Sequence, residues 1–460
     1  MTRRARLLLP ALAAAGLLLA APEALASAPG TYGMGSRAGA LSGAVTADAA
    51  DFSGCFYNPA GLTSAPGLEL SIGYLYADNR LRIDGKDNDV ADVHGLMAGI
   101  VAPGKIASLP FAFGIATYIP DNGLSRIRAL RQETPRWELY NDRPTILFLS
   151  VHLAVRPLPW LELGGGLAFL AATRGRFGIR GEANVLRPYD SQLSHEVDAD
   201  LTSIRYPIAG ARVKLGRLGY LGVAYRGQTK LDLALQANLE GIVDFAGIDV
   251  PLRYTLETRT LDAFQPQQVV LGLSFQAVPR LRANFDLGWV NWSAYESPTP
   301  RTSAHLEAEP PPGVPVELPE DPKPVEILPP AFEDRFVPRL GVEYTLAFGA
   351  ERRVSGRKEP AKAVEIPLRA GYAYERSPVP PQTGLTNFVD ADRHTVSLGV
   401  GLVLNAPFSV LRGALRLDTH VALSVLPERV TQKTSPADFV GDYRVDGTMI
   451  AGGATLAASF

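Results

Sequence analysis

The feature that most constrains this chain is an alternation of apolar and polar residues at period two, sustained far beyond the length of an ordinary strand. From Leu221 to Leu239 the odd positions include Leu221, Val223, Tyr225, Leu231, Leu233, Leu235 and Leu239. The even ones include Arg226, Gln228, Lys230, Asp232, Gln236 and Asn238. Successive side chains of a strand point to opposite faces, so one face of this segment suits lipid and the other water. Leu281, Phe285, Leu287 and Trp289 stand opposite Arg282, Asn284 and Asp286 in the same way. Leu415, Leu417, Val421, Leu423 and Val425 stand likewise opposite Arg416, Asp418, His420 and Ser424. A soluble sandwich also alternates, with its apolar face turned inward, but its strands average about five or six residues. At the end of the sequence Ile450, Gly452, Ala454, Leu456, Ala458 and Phe460 share one parity and finish on an aromatic. Bacterial outer-membrane barrels typically end this way, on a strand read by the barrel assembly machinery. The expectation is an all-β chain: an antiparallel transmembrane barrel in the bacterial outer membrane, surrounded by outer-membrane lipid.

Gly 44 and Pro 37 supply many turn signals. Between them lie fourteen segments, starting near 68, 92, 110, 143, 160, 195, 219, 250, 280, 333, 365, 393, 414 and 447. An even number brings both barrel ends to the periplasmic side, with short turns there and long loops outside. The segment near Val250 is interrupted at Pro266, which points to a bend. The loop 299–332 is Pro-rich, and its acidic stretch from Pro310 to Pro330 favours extended polyproline II over packed structure. The barrel is expected to occupy 68–460 and to be monomeric.

Arg3, Arg4 and Arg6 precede an apolar run from Leu7 to about Ala21, followed by the small-residue site Ala24-Leu25-Ala26. Residues 1–26 therefore read as a signal peptide. Beyond it no apolar stretch is long enough for a membrane helix, which needs about 20 residues. Residues 27–67 lack period two and are crowded with Gly, Ala and Ser. A fourteen-stranded barrel leaks unless something fills it, so this segment reads as a hatch inside the lumen. A net charge of -2 removes the basic footprint of a nucleic-acid binder. The single Cys55 and six scattered histidines form no metal-ligand spacing, so no metal or cofactor is expected.

At Phe56-Tyr57-Asn58-Pro59-Ala60-Gly61-Leu62 the sequence resembles the FadL/TodX-type outer-membrane transporters of long-chain fatty acids and other hydrophobic compounds. The lead-in Ala47-Asp48-Ala49-Ala50-Asp51 and the strand end Asp286-Leu287-Gly288-Trp289-Val290-Asn291-Trp292-Ser293 continue the resemblance. So do Leu368-Arg369-Ala370-Gly371-Tyr372-Ala373-Tyr374-Glu375-Arg376-Ser377-Pro378-Val379-Pro380 and Asp392-Arg393-His394-Thr395-Val396-Ser397-Leu398-Gly399. The resemblance implies a fourteen-stranded barrel with an N-terminal hatch, passive diffusion of a hydrophobic small molecule, and lateral release beside a kinked third strand. That strand corresponds to Pro110–Pro120, with Phe113-Gly114 as the kink. Asn58, Pro59, Ala60 and Gly61 would form the gating turn of the hatch, since Pro59 fixes its own φ and Asn58 can bond nearby backbone. Arg226 and Lys230, with Arg369 as a third candidate, would hold an acidic head group. The alternative is that all three belong to charged networks that stiffen the barrel interior.

Other signals point to structure rather than chemistry. Gly164-Gly165-Gly166 lacks the helix and acidic partner of a dinucleotide loop. His420 beside Asp418 has no serine partner in sequence, so no catalytic residues are assigned. A general aqueous porin and a membrane-embedded lipid hydrolase stand as alternatives to the transporter. The choice between fatty acid and aromatic hydrocarbon is open.

Overall fold

The computed structural model describes residues 28–121, 131, 133–140, 147–184, 192–245, 248–309, 320–321, 326–348, 352–354, 357–359, 364–407 and 413–460. The signal peptide expected over 1–26, and 310–319 and 322–325 of the Pro-rich loop, lie outside them. Fourteen antiparallel strands form one closed barrel. They are β1 (Glu69–Ile83), β2 (Val93–Ile106), β3 (Leu109–Pro120), β4 (Phe148–Leu158), β5 (Leu161–Asn184) and β6 (Gln192–Lys214). Two broken strands follow: β7a (Gly219–Arg226) with β7b (Thr229–Phe245), then β8a (Ile248–Gln265) with β8b (Gln268–Val278). The last six are β9 (Leu281–Val290), β10 (Arg335–Phe348), β11 (Val364–Glu375), β12 (Arg393–Asn405), β13 (Ala414–Thr431) and β14 (Tyr443–Ser459). The barrel closes where β1 pairs with β14, from Glu69 opposite Ser459 to Ile83 opposite Val445.

The alternation sorts as expected. Leu70, Ile72, Leu221, Val223, Leu271, Phe285, Leu398, Val421, Leu423 and Leu456 are exposed on the outer face, and Ser71, Ala224, Ser274, Asp286, Asn284, Ser397 and Asp418 are buried on the inner one. A continuous apolar girdle of this kind is stable only in hydrocarbon, and closure leaves no strand edge unpaired there. Tight turns at 107–108, 159–160, 215–218 and 279–280 lie at the end of the barrel where β1 begins and β14 finishes. The longer links 349–363 and 406–413 share that end, against the expectation of short turns throughout, and the remaining links lie at the other end.

One segment departs from the sequence reading. Leu221–Leu239 was expected as one strand, but the ladder between β6 and β7a stops at Ile208 opposite Arg226. The cause is Pro207 on β6, which has no N–H to continue the ladder; its carbonyl instead accepts from Gly227 N at 2.9 Å. A Cβ at Gly227 would meet the Pro207 ring at 2.8 Å, so the break needs that glycine. Released from β6, β7b pairs in parallel with β5, from Gly175 opposite Leu235 to Asn184 opposite Asp244. The expected bend at Pro266 separates β8a from β8b. Residues Arg301–Ala308, expected within the Pro-rich loop, form a further strand on β8a, from Leu252 opposite Ala308 to Arg259 opposite Arg301.

Residues 28–64 fold inside the lumen as short helices: α1 (Ala28–Tyr32), α2 (Ser36–Ala40), α3 (Gly54–Tyr57) and a 3₁₀ helix over Pro59–Ser64. Met34, Leu41, Phe52, Cys55, Phe56 and Leu62 are fully or almost fully buried between this plug and the wall. Loops at the far end meet through an aromatic cluster that includes Phe264, Trp292, Tyr295, Phe332 and Phe388.

Candidate functional site: the hatch and its seat

The plug rests on a wall stripped of side chains. A Cβ at Gly164 would sit 2.4 Å from Ala60 N, one at Gly210 2.1 Å from Asn58 Oδ1, and one at Gly222 2.7 Å from Thr46 O. These glycines lie on β5, β6 and β7a, and only their bare backbone lets the Asn58 turn approach.

Asn58 is fully buried. Its Nδ2 donates to Thr46 O at 2.8 Å inside the plug, and to Ala211 O at 3.2 Å and Val223 O at 3.3 Å on the wall. Its Oδ1 accepts from Ala60 N at 3.1 Å, capping the 3₁₀ helix. Pro59 opens that helix, where its missing N–H costs nothing. Gly61 is equally constrained, since a Cβ there would meet Ala49 O at 1.8 Å. The four motif residues therefore tie the plug to the seam between β6 and β7a, where Ala211 and Val223 face each other.

The kink expected at Phe113-Gly114 is absent from the strand ladders. β3 pairs with β2 and with β4 through both residues without a shift of register. Phe113 points outward. Gly114 provides close approach, because a Cβ there would meet Cys55 Sγ and Leu62 Cδ1, each at 2.7 Å. The absent side chain makes room for the plug, and both ladders run on through it.

Toward the end with tight turns, plug and wall are joined by ion pairs. Arg37 of α2 bonds Asp48 and reaches Glu343 at 3.2 Å, while Arg282 meets Asp48 at 2.7 Å. Arg416 bridges Asp51 at 3.3 Å, Asp418 at 2.9 Å and Glu69 at 3.6 Å, and Arg212 meets Glu162 at 2.6 Å. Burial pushes the Asp51 carboxyl up, but Arg416 and Arg37 outweigh it and hold it below its ordinary range. Burial also opposes the charge on Arg37, yet Asp48 and Glu343 raise its guanidinium well above the usual value. Arg369 sits in this network, 2.5 Å from Glu343 and 2.7 Å from Asp418. Asp418 is thus engaged by arginines, and His420 packs instead over Gly39 of the plug. The network surrounds a cavity of about 510 Å³.

A second, smaller cavity of about 60 Å³ is lined by Phe56 and Tyr57 of the plug and by Arg226, Arg339, Glu375 and Arg393 of the wall. The Arg226 guanidinium lies 4.3 Å from the Phe56 ring centroid; its Nη2 donates to Gln268 Oε1 at 2.6 Å and its Nη1 to Phe56 O at 3.4 Å. Neither Arg226 nor Arg339 has a carboxylate within ion-pair distance among the described residues, whereas Glu375 is engaged by Arg335 and Arg393. Lys230, expected beside Arg226, lies beyond the Gly227 break and pairs with Glu296 at 2.7 Å. Arg339 was missed by the sequence reading. Its parity pointed to it: Phe336, Leu340, Val342 and Tyr344 face outward, so Arg339 must face in.

A closed fourteen-stranded barrel with its N-terminal segment locked into the lumen defines a hatch-plugged membrane barrel. No protein-family model matches the sequence. The chain is similar to alkane uptake protein A of Marinobacter nauticus, 24% identical over 475 residues that cover 95% of this chain and 92% of that one. In fold it is similar to a FadL homologue of Pseudomonas aeruginosa, with a TM-score of 0.53 at 16% identity over 92% of this chain and 97% of that one. The CymD monoaromatic hydrocarbon channel gives a TM-score of 0.52 at 16% identity, over 93% and 97%. In fold the chain is similar to the FadL-type barrels.

Proposed function

We propose that the protein is a bacterial outer-membrane channel that takes up long-chain fatty acids or similar hydrophobic compounds by passive diffusion, without catalysis. The observation that carries an acidic head group is the pair Arg226 and Arg339, two guanidiniums on one small cavity with no carboxylate within ion-pair distance among the described residues. A cavity of about 60 Å³ suits a head group and leaves the tail to the apolar surroundings of Phe56. The relative's name supports a second reading, in which an alkane uses the same route and ignores the two cations.

The ionic network below the plug favours sideways release, because an apolar solute moving along the axis would have to part buried charge pairs. The seam between β6 and β7a is our candidate exit. Its ladder of seven register pairs is the shortest in the barrel, and Asn58 bonds both of its carbonyls at Ala211 and Val223. Asn58, Pro59, Ala60 and Gly61 would then couple movement of the plug to that seam.

Uptake of radiolabelled palmitate and hexadecane by cells carrying Arg226→Ala/Arg339→Ala separates the two readings. Loss of charge-assisted bonds worth about 1.5–3 kcal/mol each should weaken palmitate uptake at least tenfold and spare hexadecane. Equal palmitate uptake by variant and wild type would remove the head-group assignment.

A further inference from the structure

The motif Gly371-Tyr372-Ala373-Tyr374 with Asp392-Arg393-His394 is left unused by the transport reading. In the fold it is a constellation on the outer face of β11 and β12, and the same constellation recurs on β1 and β2. Tyr374 lies opposite His394 and donates to Asp392 at 2.6 Å, while Tyr372 OH is 2.9 Å from His394 Nδ1. Tyr76 lies opposite His94 and donates to Asp92 at 2.9 Å, while Tyr74 OH is 3.3 Å from His94 Nδ1. Both are Gly-Tyr-x-Tyr on an outgoing strand facing Asp-x-His on the return strand, in identical register.

Apart from the leading glycines, Gly73 and Gly371, only the outward residues are duplicated. The inward position between Asp and His is Val93 opposite Ala77 in one copy and Arg393 opposite Glu375 in the other, the latter an ion pair. Packing in the lumen therefore does not account for the repetition; something met by the outer surface does. Both copies lie at the loop ends of their strands, where the barrel leaves hydrocarbon and meets the outer-leaflet head groups. Tyr74, Tyr76 and Tyr372 are 44%, 47% and 38% exposed.

The chemistry selects the occupant. Each copy offers a platform of two tyrosines and an imidazole, with ring centroids 6.2 Å apart for Tyr76 and His94 and 5.0 Å for Tyr374 and His394. Beside it stand carboxylates with spare lone pairs, Asp92 with Asp121 in one copy and Asp392 in the other. Stacking rings edged by hydroxyl and carboxylate acceptors suit the flat faces and O–H donors of a sugar, and the carboxylates repel a phosphate. We propose that the two constellations dock the sugar head groups of outer-leaflet glycolipid, an inference that rests on the outer-membrane reading.

The full-length protein in nanodiscs containing rough lipopolysaccharide, its dephosphorylated derivative, or phosphatidylglycerol tests this by native mass spectrometry of retained lipid. We expect one glycolipid retained per constellation, with or without its phosphates, and no retained phosphatidylglycerol. Tyr76→Leu/His94→Leu should remove one bound glycolipid, and adding Tyr374→Leu/His394→Leu the other; leucine keeps the surface apolar, and heat-modifiable migration on gels checks folding. Unchanged retention by the fourfold variant would overturn the proposal. Loss of retention on dephosphorylation, or phosphatidylglycerol held by the same residues, would overturn it too. Palmitate uptake by the fourfold variant should equal that of wild type, so failure here is distinguishable from failure of the uptake reading.

Discussion

Replacing Asn58 by alanine removes a buried, uncharged side chain that bonds both plug and wall. Ala60 N–H loses its acceptor in a buried setting, which costs about 1–3 kcal/mol. The carbonyls of Thr46, Ala211 and Val223 lose a donor they share, and a carbonyl with a second lone pair suffers less, so the total comes to about 2–4 kcal/mol. That corresponds to roughly 30- to 1,000-fold more opening of the Asn58 turn, without harm to barrel closure. Hydrogen exchange over residues 44–64 should therefore accelerate while β11 to β14 stay protected, and palmitate uptake should fall in a correctly assembled barrel. Asn58→Asp is the sharper control: it sets a carboxylate oxygen against three carbonyl oxygens and should loosen the turn more than alanine does. Wild-type exchange and uptake in Asn58→Ala would refute the coupling, and a milder Asn58→Asp would refute the bond assignment.

Gly210→Ala should reproduce Asn58→Ala, because its Cβ would lie 2.1 Å from Asn58 Oδ1; overpacking of this kind costs about 1–3 kcal/mol, read by the same exchange experiment. Gly165→Ala, whose Cβ would meet nothing closer than 3.7 Å, should leave exchange unchanged. Leu271→Arg, on the lipid face at 54% exposure, should destabilise the barrel in urea titrations in lipid by about 2–4 kcal/mol if near the midplane, and more than Ser274→Arg in the lumen of the same strand. Burial pushes the Asp390 carboxyl up to about 6, only partly offset by Arg335, so the folded loop 376–392 prefers it protonated. The sign follows: with the folded value above the unfolded one, loop stability is highest below about pH 4 and falls as pH rises through 6. Asp390→Asn should abolish that dependence and strengthen the loop at pH 7.5 by on the order of 2 kcal/mol, measured by proteolysis of intact cells.

The barrel was legible because its strands are solvated asymmetrically: lipid on one side and plug on the other write a period of two into the chain, as at Leu281 to Trp289. The cavity beside Phe56 was half legible, Arg226 by its parity and Arg339 by a parity that was there to read. Lys230 misled because the break at Gly227 depends on Pro207, a residue on a different strand whose missing N–H ends the ladder. Strand neighbours across a turn can be inferred, but the consequence of a lost donor on one for the path of the other needs the register. Gly114 carries a related ambiguity. A glycine in a strand marks either a bend or a close approach, and only the position of Cys55 and Leu62 distinguishes them.

The ion pairs beneath the plug were the least legible feature, since Arg37 and Glu343 are 306 residues apart, and they bear most directly on direction of travel. Separating one partner of a buried pair costs about 3–5 kcal/mol, so an axial path that parts Arg369 from Asp418 and Arg416 from Asp51 is steeply uphill for a solute that offers no replacement charge. A carboxylate could compensate one such loss; a hydrocarbon tail could compensate none. The wall seam asks less of an apolar solute, because hydrogen bonds of the short β6–β7a ladder and the Asn58 bonds are neutral, about 0.5–1.5 kcal/mol each in net terms. On the proposed uptake reading the same molecule would meet a charged floor and a neutral side wall, and that asymmetry would direct it toward lipid before any moving part is invoked.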